Sequence, residues 1–268
     1  DDYDIVHLHY PFFGGAEVAA LWRASQARRR RPLVMTYIMD AHAEGWKNRV
    51  FRWYERRVLP SIVRQCDRVV VLSRDYTERS ALHVLNGEVV GKTVEIPLGV
   101  DVQRFKPSAR DFALCRQWKI AEDSHILLFV GGLDVAHRFK GVEVLLRAFA
   151  FYLDTRRKNG EEVPCHLVIV GDGRDRPSFA ALARELDIDR SVVFTGRVSD
   201  EDLPRYYRSA DCTVLPSTSA AEAFGMVLLE SMASGVPVIA SYLAGVRTLV
   251  DEGMTGFLVK PSDIIGLG

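Results

Sequence analysis

Short apolar runs alternate with longer stretches of helical period along the 268-residue chain. In the first hundred residues the apolar runs are "IVHLH" (5–9), "LVMTYI" (33–38), "RVVVLS" (68–73) and "TVEIP" (93–97), and each predicts a strand. The intervening spacing predicts helices over 16–27, 44–65 and 74–85. In the longest of these, Trp46, Val50, Tyr54, Val58 and Ile62 recur at i, i+4 and draw one apolar face, which Pro60 is expected to kink or break. The period lapses in "LGVDVQRFKPSARD" (98–111), and a domain boundary is placed there, giving units of 1–104 and 105–268. The alternation then resumes. Strands are predicted at 125–132, 165–173, 191–196, 212–217, 237–241 and 256–259, and helices at 140–157, 175–186, 200–209, 225–234 and 245–252. Continuous apolar strands between helices mark parallel sheets covered on both faces. The fold class is therefore α/β: two Rossmann-like domains with a cleft between them.

The chain opens on "DDYDIVHLHY", inside what reads as a strand, and stops at "KPSDIIGLG" with no helical pattern. It is expected to be part of something larger, with the first domain incomplete and the second lacking its closing helix.

Charge removes one class of partner. Lysine plus arginine and aspartate plus glutamate number 35 each, so no overall field favours nucleic acid. Locally, "RRRR" (28–31) and the arginines at 49, 52, 56, 57 and 64 make the first quarter basic. The aromatic, basic stretch 46–64 suits peripheral contact with an anionic membrane surface; a core-packed helix with its arginines in water is the plain alternative. Four cysteines without a CxxC pair read as reduced thiols of a cytoplasmic protein rather than a zinc site. No apolar run reaches the ~18 residues of a spanning helix. The seven histidines show no metal-binding spacing. Asp200-Glu201-Asp202 has the form of a D-x-D metal signature, but it follows Ser199 and opens a helix, where capping accounts for it. No metal and no cofactor are expected.

The candidate chemistry lies at strand exits. "FVGGL" (129–133), "IVGDG" (169–173), "FTGR" (194–197) and "LPST" (215–218) place glycine or small polar residues where α/β sheets bind ligands. None belongs to a G-x-G-x-x-G or a Walker loop, so dinucleotide binding and ATP hydrolysis lose their usual support. "EAFGMVLLE" (222–230) carries two glutamates eight positions apart. A helix starting near Gly225 would present the amides of Gly225, Met226 and Val227 to an anion. Glu222 in the loop can accept from sugar hydroxyls, and Glu230, too deep in the helix to cap it, suits vicinal hydroxyls. One ligand satisfies all three parts: a nucleotide-sugar with its hexose at Glu222, phosphates at the helix start and ribose at Glu230. The alternatives are a solvated loop acid and an exposed helix acid. Arg138 and Lys140, after the strand at 125–131, are candidate diphosphate ligands or solvated loop cations. His9, near a strand end, and His42, in the loop after Asp40, are candidates for lining the cleft.

"IPLGVD", "KGVEVLLRAF", "LVIVGDG", "FTGRVSDEDLPRYYRSAD", "EAFGMVLLESMASGVPVIAS" and "DEGMTGFLV" resemble, in order, the nucleotide-sugar glycosyltransferases of family 4, which have the GT-B fold. "VHLHYPFFGGAE" and "TYIMDAH" resemble the acceptor-side domain of a subgroup. The resemblance implies a retaining, metal-independent hexosyltransferase using a UDP- or GDP-sugar and a glycan or lipid-linked acceptor, cytoplasmic and peripheral at the inner membrane face. It implies that Glu222 contacts the hexose, Glu230 holds the ribose, Lys140 meets the diphosphate, and Arg197 and Val198 contact the base; Phe224, Gly225, Met226 and Val227 complete the donor side, and His9, Asp40 and His42 the acceptor side. Two positions depart from the family. Leu133 follows Gly131-Gly132 where an arginine is usual, with Arg138 as a substitute, and Ile38 stands where a histidine normally faces the reacting sugar. A non-catalytic nucleotide-sugar-binding protein and a nucleotide-sugar epimerase of the same fold remain as alternatives.

Overall fold

The computed structural model describes residues 3–26, 31–41, 45–85, 89, 91–161 and 163–268. The candidate His42 and Arg28 to Arg30 of the basic run lie outside them. The chain forms two compact units, Asp1–Leu98 and Gly99–Gly268. Residues 99–104 group with the second unit because Val100 and Phe105 pack into its core, so the division falls six residues before the one expected from the lapse in periodicity.

In the first unit, strands β1 (Val6–Tyr10), β2 (Leu33–Tyr37), β3 (Arg68–Val71) and β4 (Thr93–Glu95) form a parallel sheet in sequential order. Helices α1 (Gly15–Ser25), α2 (Trp46–Arg57), α3 (Leu59–Gln65) and α4 (Arg74–Thr77) alternate with them. The single helix expected over 44–65 is two. The chain turns at Val58, and Pro60 occupies the first turn of α3, where its missing N–H costs nothing. The apolar face read from spacing divides as well: Tyr54 and Ile62 are buried, while Trp46 is 72% exposed and Val50 49%. The segment 74–85 is likewise shorter in α-helix than expected, ending at Thr77 and resuming as a 3-10 turn at Ala81–Leu85.

The second unit is a six-stranded parallel sheet of β5 (His125–Val130), β6 (Cys165–Val170), β7 (Val192–Gly196), β8 (Cys212–Leu215), β9 (Val238–Ser241) and β10 (Gly256–Val259). Their order is β10-β9-β8-β5-β6-β7. The continuous apolar runs are explained by burial on both faces. Phe129, Leu167 and Ile169 enter one core with Leu145, Leu146 and Phe149 of α6 (Val142–Lys158). Ile126, Leu128, Val168 and Val170 enter the other, with Tyr206 and Tyr207 of α8 (Leu203–Ser209) and Leu114 of α5 (Phe112–Trp118). Helix α5 was not expected. Its start is set by Asp111, whose carboxylate accepts from the amides of Ala113 and Leu114 at 3.0 and 3.3 Å. The helix expected over 245–252 is only a 3-10 turn at Val246–Thr248. Two further helices, α7 (Arg176–Glu185) and α9 (Met226–Ala233), follow β6 and β8.

Strand order reverses between β5 and β8, since β6 and β7 lie on one side of that pair and β9 and β10 on the other. The loops leaving β5 and β8 at their carboxyl ends therefore part around a crevice. Backbone contacts stitch these loops together. The Thr218 amide donates to the Phe139 carbonyl at 2.7 Å and its hydroxyl at 3.2 Å. Gly141 (φ +74°) sits so close that a Cβ would meet the Pro216 carbonyl oxygen at 2.1 Å. Gly141→Ala is expected to cost about 3 kcal/mol, from a left-handed backbone plus an unrelieved clash. Denaturant unfolding measures this; an unchanged midpoint would show that the two loops are not locked here.

The glycines after β6 have a different reason from the one anticipated. A Cβ on Gly171 (φ +137°) would lie 1.9 Å from the Gly131 carbonyl oxygen, and one on Gly173 2.2 Å from the Leu133 carbonyl carbon. They admit the neighbouring backbone of the loop after β5.

Candidate functional site

The crevice between β5 and β8 brings Lys140 and Glu222 together. Lys140 closes the 3-10 turn Val135–Lys140 that follows β5, and Glu222 lies in the loop after β8. The Lys140 ammonium donates to Glu222 Oε2 at 3.0 Å, across 82 residues of sequence. Both side chains are largely removed from water, at 15% and 11% exposed. Ser217, fully buried, donates its hydroxyl to the same oxygen at 3.3 Å. Glu222 is thus a partnered carboxylate in a switch-point crevice rather than a solvated loop acid. Gly131 makes room for the pair, because a Cβ there would lie 2.8 Å from Lys140 Cδ.

Three residues beyond Glu222, Gly225 is the N-cap of α9, and no side chain caps that helix. The Leu228 amide donates to the Gly225 carbonyl at 2.9 Å, and the amides of Met226 and Val227 ahead of it have no intrahelical acceptor. The helix end supplies donors and a positive dipole end without a cation. Met226 and Val227 are half-buried. The Phe224 side chain is 4% exposed and packed, so that residue can offer a ligand only backbone.

Glu230 stands on α9, half-buried. Tyr207 of α8, fully buried, donates its hydroxyl to Glu230 Oε2 at 2.6 Å. Burial pushes the Glu230 carboxyl above its ordinary value, while the Tyr207 hydrogen bond and the charge of Arg104 pull it back down. Burial also raises the Tyr207 phenol well above its ordinary value, so it remains a donor.

Arg138 does not stand free for phosphate. Its guanidinium makes a two-point pair with Asp175, Nε to Oδ2 at 2.7 Å and Nη2 to Oδ1 at 3.3 Å. Arg197 extends into solvent just past β7, and Val198 packs against the core containing Tyr207. Asp202, in the D-x-D run, is engaged by Ser199 at 3.1 Å and Arg205 at 2.9 Å ahead of α8. In the first unit, His9 is exposed with its ring 4.5 Å from that of His7. Asp40 is occupied structurally: it accepts from the Tyr37 hydroxyl and, at 3.0 Å, from the Ala81 amide. Ser217, Tyr207 and Arg104 escaped the sequence reading. Ser217 lies in the flagged β8 exit, but an aromatic donor 23 residues from Glu230 leaves no local signal.

Residues 113–267 match the family described as glycosyl transferases group 1, and residues 1–104 match Glycosyltransferase Family 4. The chain belongs to this glycosyltransferase family. Among its relatives, a D-inositol 3-phosphate glycosyltransferase of Streptosporangium roseum is 34% identical over 271 residues, covering 97% of this chain and 59% of the relative. One of Nocardiopsis dassonvillei is 34% identical over 266 residues with the same coverage. The chain thus spans about three-fifths of the length of these curated relatives. Of solved structures, sucrose-phosphate synthase from Thermosynechococcus elongatus superposes with a TM-score of 0.78 at 26% identity, covering 99% of this chain and 62% of that one. Anabaena Alr3699/HepE in complex with UDP and glucose gives 0.75 at 22% identity, with 99% and 66% covered, a likeness of fold. The family's GT-B architecture, α/β with two parallel-sheet units, is the one described above.

Proposed function

We propose that the protein transfers a hexose from a nucleoside-diphosphate sugar to a hydroxyl acceptor, with retention of anomeric configuration and without a metal ion. The observation that carries this reading is the Lys140–Glu222 pair, set beside an uncapped helix end with Glu230 held by Tyr207 on the same helix. Glu222 orients the hexose by accepting from its hydroxyls. The α9 amides and the Lys140 ammonium bind the diphosphate, and Glu230 accepts from the ribose. In the transfer the bond from the anomeric carbon to the diphosphate oxygen breaks, and the electron pair leaves with the diphosphate. Lys140 and the helix end stabilise that developing charge. The acceptor oxygen bonds to the anomeric carbon and passes its proton to the departing diphosphate oxygen. That the Anabaena neighbour is described with UDP and glucose, and with UDP-glucose, supports a nucleotide-sugar donor. Curated relatives named for inositol 3-phosphate support a polyhydroxylated acceptor.

Ile38 favours a second reading, a protein that binds the donor without turning it over. It directly follows β2, its amide donating to the Tyr10 carbonyl at 3.0 Å, and its side chain can neither accept nor donate a proton. Calorimetry with UDP and GDP, followed by a transfer and hydrolysis assay, tests both. Binding with turnover supports transfer, binding without turnover supports the second reading, and binding of neither nucleotide defeats both.

The exposed face of α2 suits a cytoplasmic protein resting on the inner membrane face, next to a lipid-linked acceptor. Trp46 and Trp53 are 72% and 60% exposed, and Arg49, Arg52, Arg56 and Arg57 of the same helix also reach solvent. Among the described residues no helix is long and apolar enough to cross a membrane. Removing one of these arginines is expected to weaken binding to phosphatidylserine vesicles about fivefold, on the basis of ~1 kcal/mol per basic residue near such a surface. Co-sedimentation measures it; equal binding to neutral vesicles would remove the proposal.

A further inference from the structure

Glu230 is supported from two directions, and neither belongs to its own helix. Tyr207 reaches it from α8, with its ring fixed in the core by an edge-on contact to Phe105 at 5.8 Å. The Tyr207 hydroxyl has Glu230 Oε2 as its hydrogen-bond partner at 2.6 Å, which leaves Oε1 for a ligand. From the segment ahead of α5, Arg104 places its charge near the same carboxylate. Arg104 is itself anchored. Its guanidinium donates to the Asp200 carbonyl and lies 4.9 Å over the Phe105 ring. Its amide donates to the Asp101 carbonyl at 3.1 Å, in a turn that the Asp101 side chain closes by accepting from the Gln103 amide at 2.9 Å. Tyr207, Phe105 and Arg104 thus form one packed run ending at the carboxylate.

We infer that Tyr207 is a positioning residue that aims Glu230 at the nucleotide ribose. The inference rests on the assignment of Glu230 to the ribose. A carboxylate on a flexible side chain has several rotamers, and only those directing a free oxygen at both vicinal hydroxyls recognise a ribose. A hydrogen bond to Oε2 from a ring that cannot move selects among them. It also favours the ionised form, which accepts from hydroxyls more strongly than the protonated one.

Among the described residues, the charged and titratable groups acting on Glu230 are Tyr207, Arg104, Asp200 and Lys140. Arg104 and Lys140 favour its ionisation and Asp200 opposes it. Acid should therefore weaken ribose recognition as Glu230 gains its proton. Removing the Tyr207 hydroxyl removes a stabiliser of the ionised form, so the midpoint of that loss should move to higher pH. Removing the Arg104 charge should move it the same way.

The test is calorimetry of the wild type, Tyr207→Phe, Arg104→Met and Glu230→Gln against UDP, GDP and their 2′,3′-dideoxy counterparts across pH. Phenylalanine keeps the packed ring, and thermal melting confirms folding before titration. Tyr207→Phe is expected to lose about tenfold in affinity for the ribonucleotide, the size of a hydrogen bond to a charged group. It should change less than twofold toward the dideoxy form, with its acid midpoint raised. Equal losses toward both nucleotides, or an unmoved midpoint with undiminished ribose preference, would overturn the positioning role. If Glu230→Gln keeps the wild-type preference for ribose, or if no ribonucleotide binds the wild type, the assignment of Glu230 fails and the inference with it. If Glu230→Gln loses the preference and Tyr207→Phe keeps it, only the inference fails.

Discussion

Lys140→Met should lower transfer about 10²- to 10³-fold, the range seen when a preorganised group facing developing charge is removed. The substitution has a second consequence, because Lys140 is also the charge partner of a buried carboxylate. Among the described residues, Glu222 would keep only the Ser217 hydroxyl at 3.3 Å. Breaking a buried pair by deleting one partner costs about 3 kcal/mol or more. The two effects separate in the double variant Lys140→Met/Glu222→Gln, whose neutral amide needs no cation. Stability should largely return in that protein and activity should not. Melting curves and kcat/KM measured on the three proteins check this. Full activity in any stable variant lacking Lys140 would remove the lysine from the transfer step.

The two glutamates should fail differently. Glu230→Ala should weaken free UDP or GDP about 10²-fold, since it deletes the carboxylate proposed to accept from the ribose hydroxyls and leaves the buried Tyr207 hydroxyl without its partner. Glu222→Ala should leave free nucleotide within about twofold but weaken the sugar-bearing donor at least tenfold, because the proposed function places the hexose hydroxyls, and not the nucleotide, at this carboxylate. Calorimetry with the nucleoside diphosphate and the intact donor distinguishes them. Equal losses on both ligands in both variants would contradict the division of labour along 222–230.

Helix and strand identities came largely from period and composition, and the reasons for the misses are local. Asp111 starts α5 through side-chain capping at a place where the apolar period is too short to register. Pro60 was expected to disturb a single helix, but it begins a new one. Trp46 and Val50 followed the apolar spacing of Tyr54 and Ile62, yet they face solvent, because period identifies a stripe and not what covers it. At the site, Glu222, Lys140, Gly225 and Glu230 were each marked by residue type and position. Arg138 was marked by the same reasoning, and its pair with Asp175, 37 residues away, was not visible in the sequence.

The sequence alone determined the class of the fold, two runs of parallel strands and helices, because strand and helix periods are properties of neighbouring residues. It also determined the family, because the motifs carrying it are contiguous words. Tertiary structure decided which residues meet. The reversal of strand order between β5 and β8 brings Lys140 to Glu222, and the packing of α8 beside α9 brings Tyr207 to Glu230. Those contacts join residues 23 and 82 positions apart. No local pattern encodes them, because the sheet's crossovers, and not the spacing of residues, set which loops share a crevice.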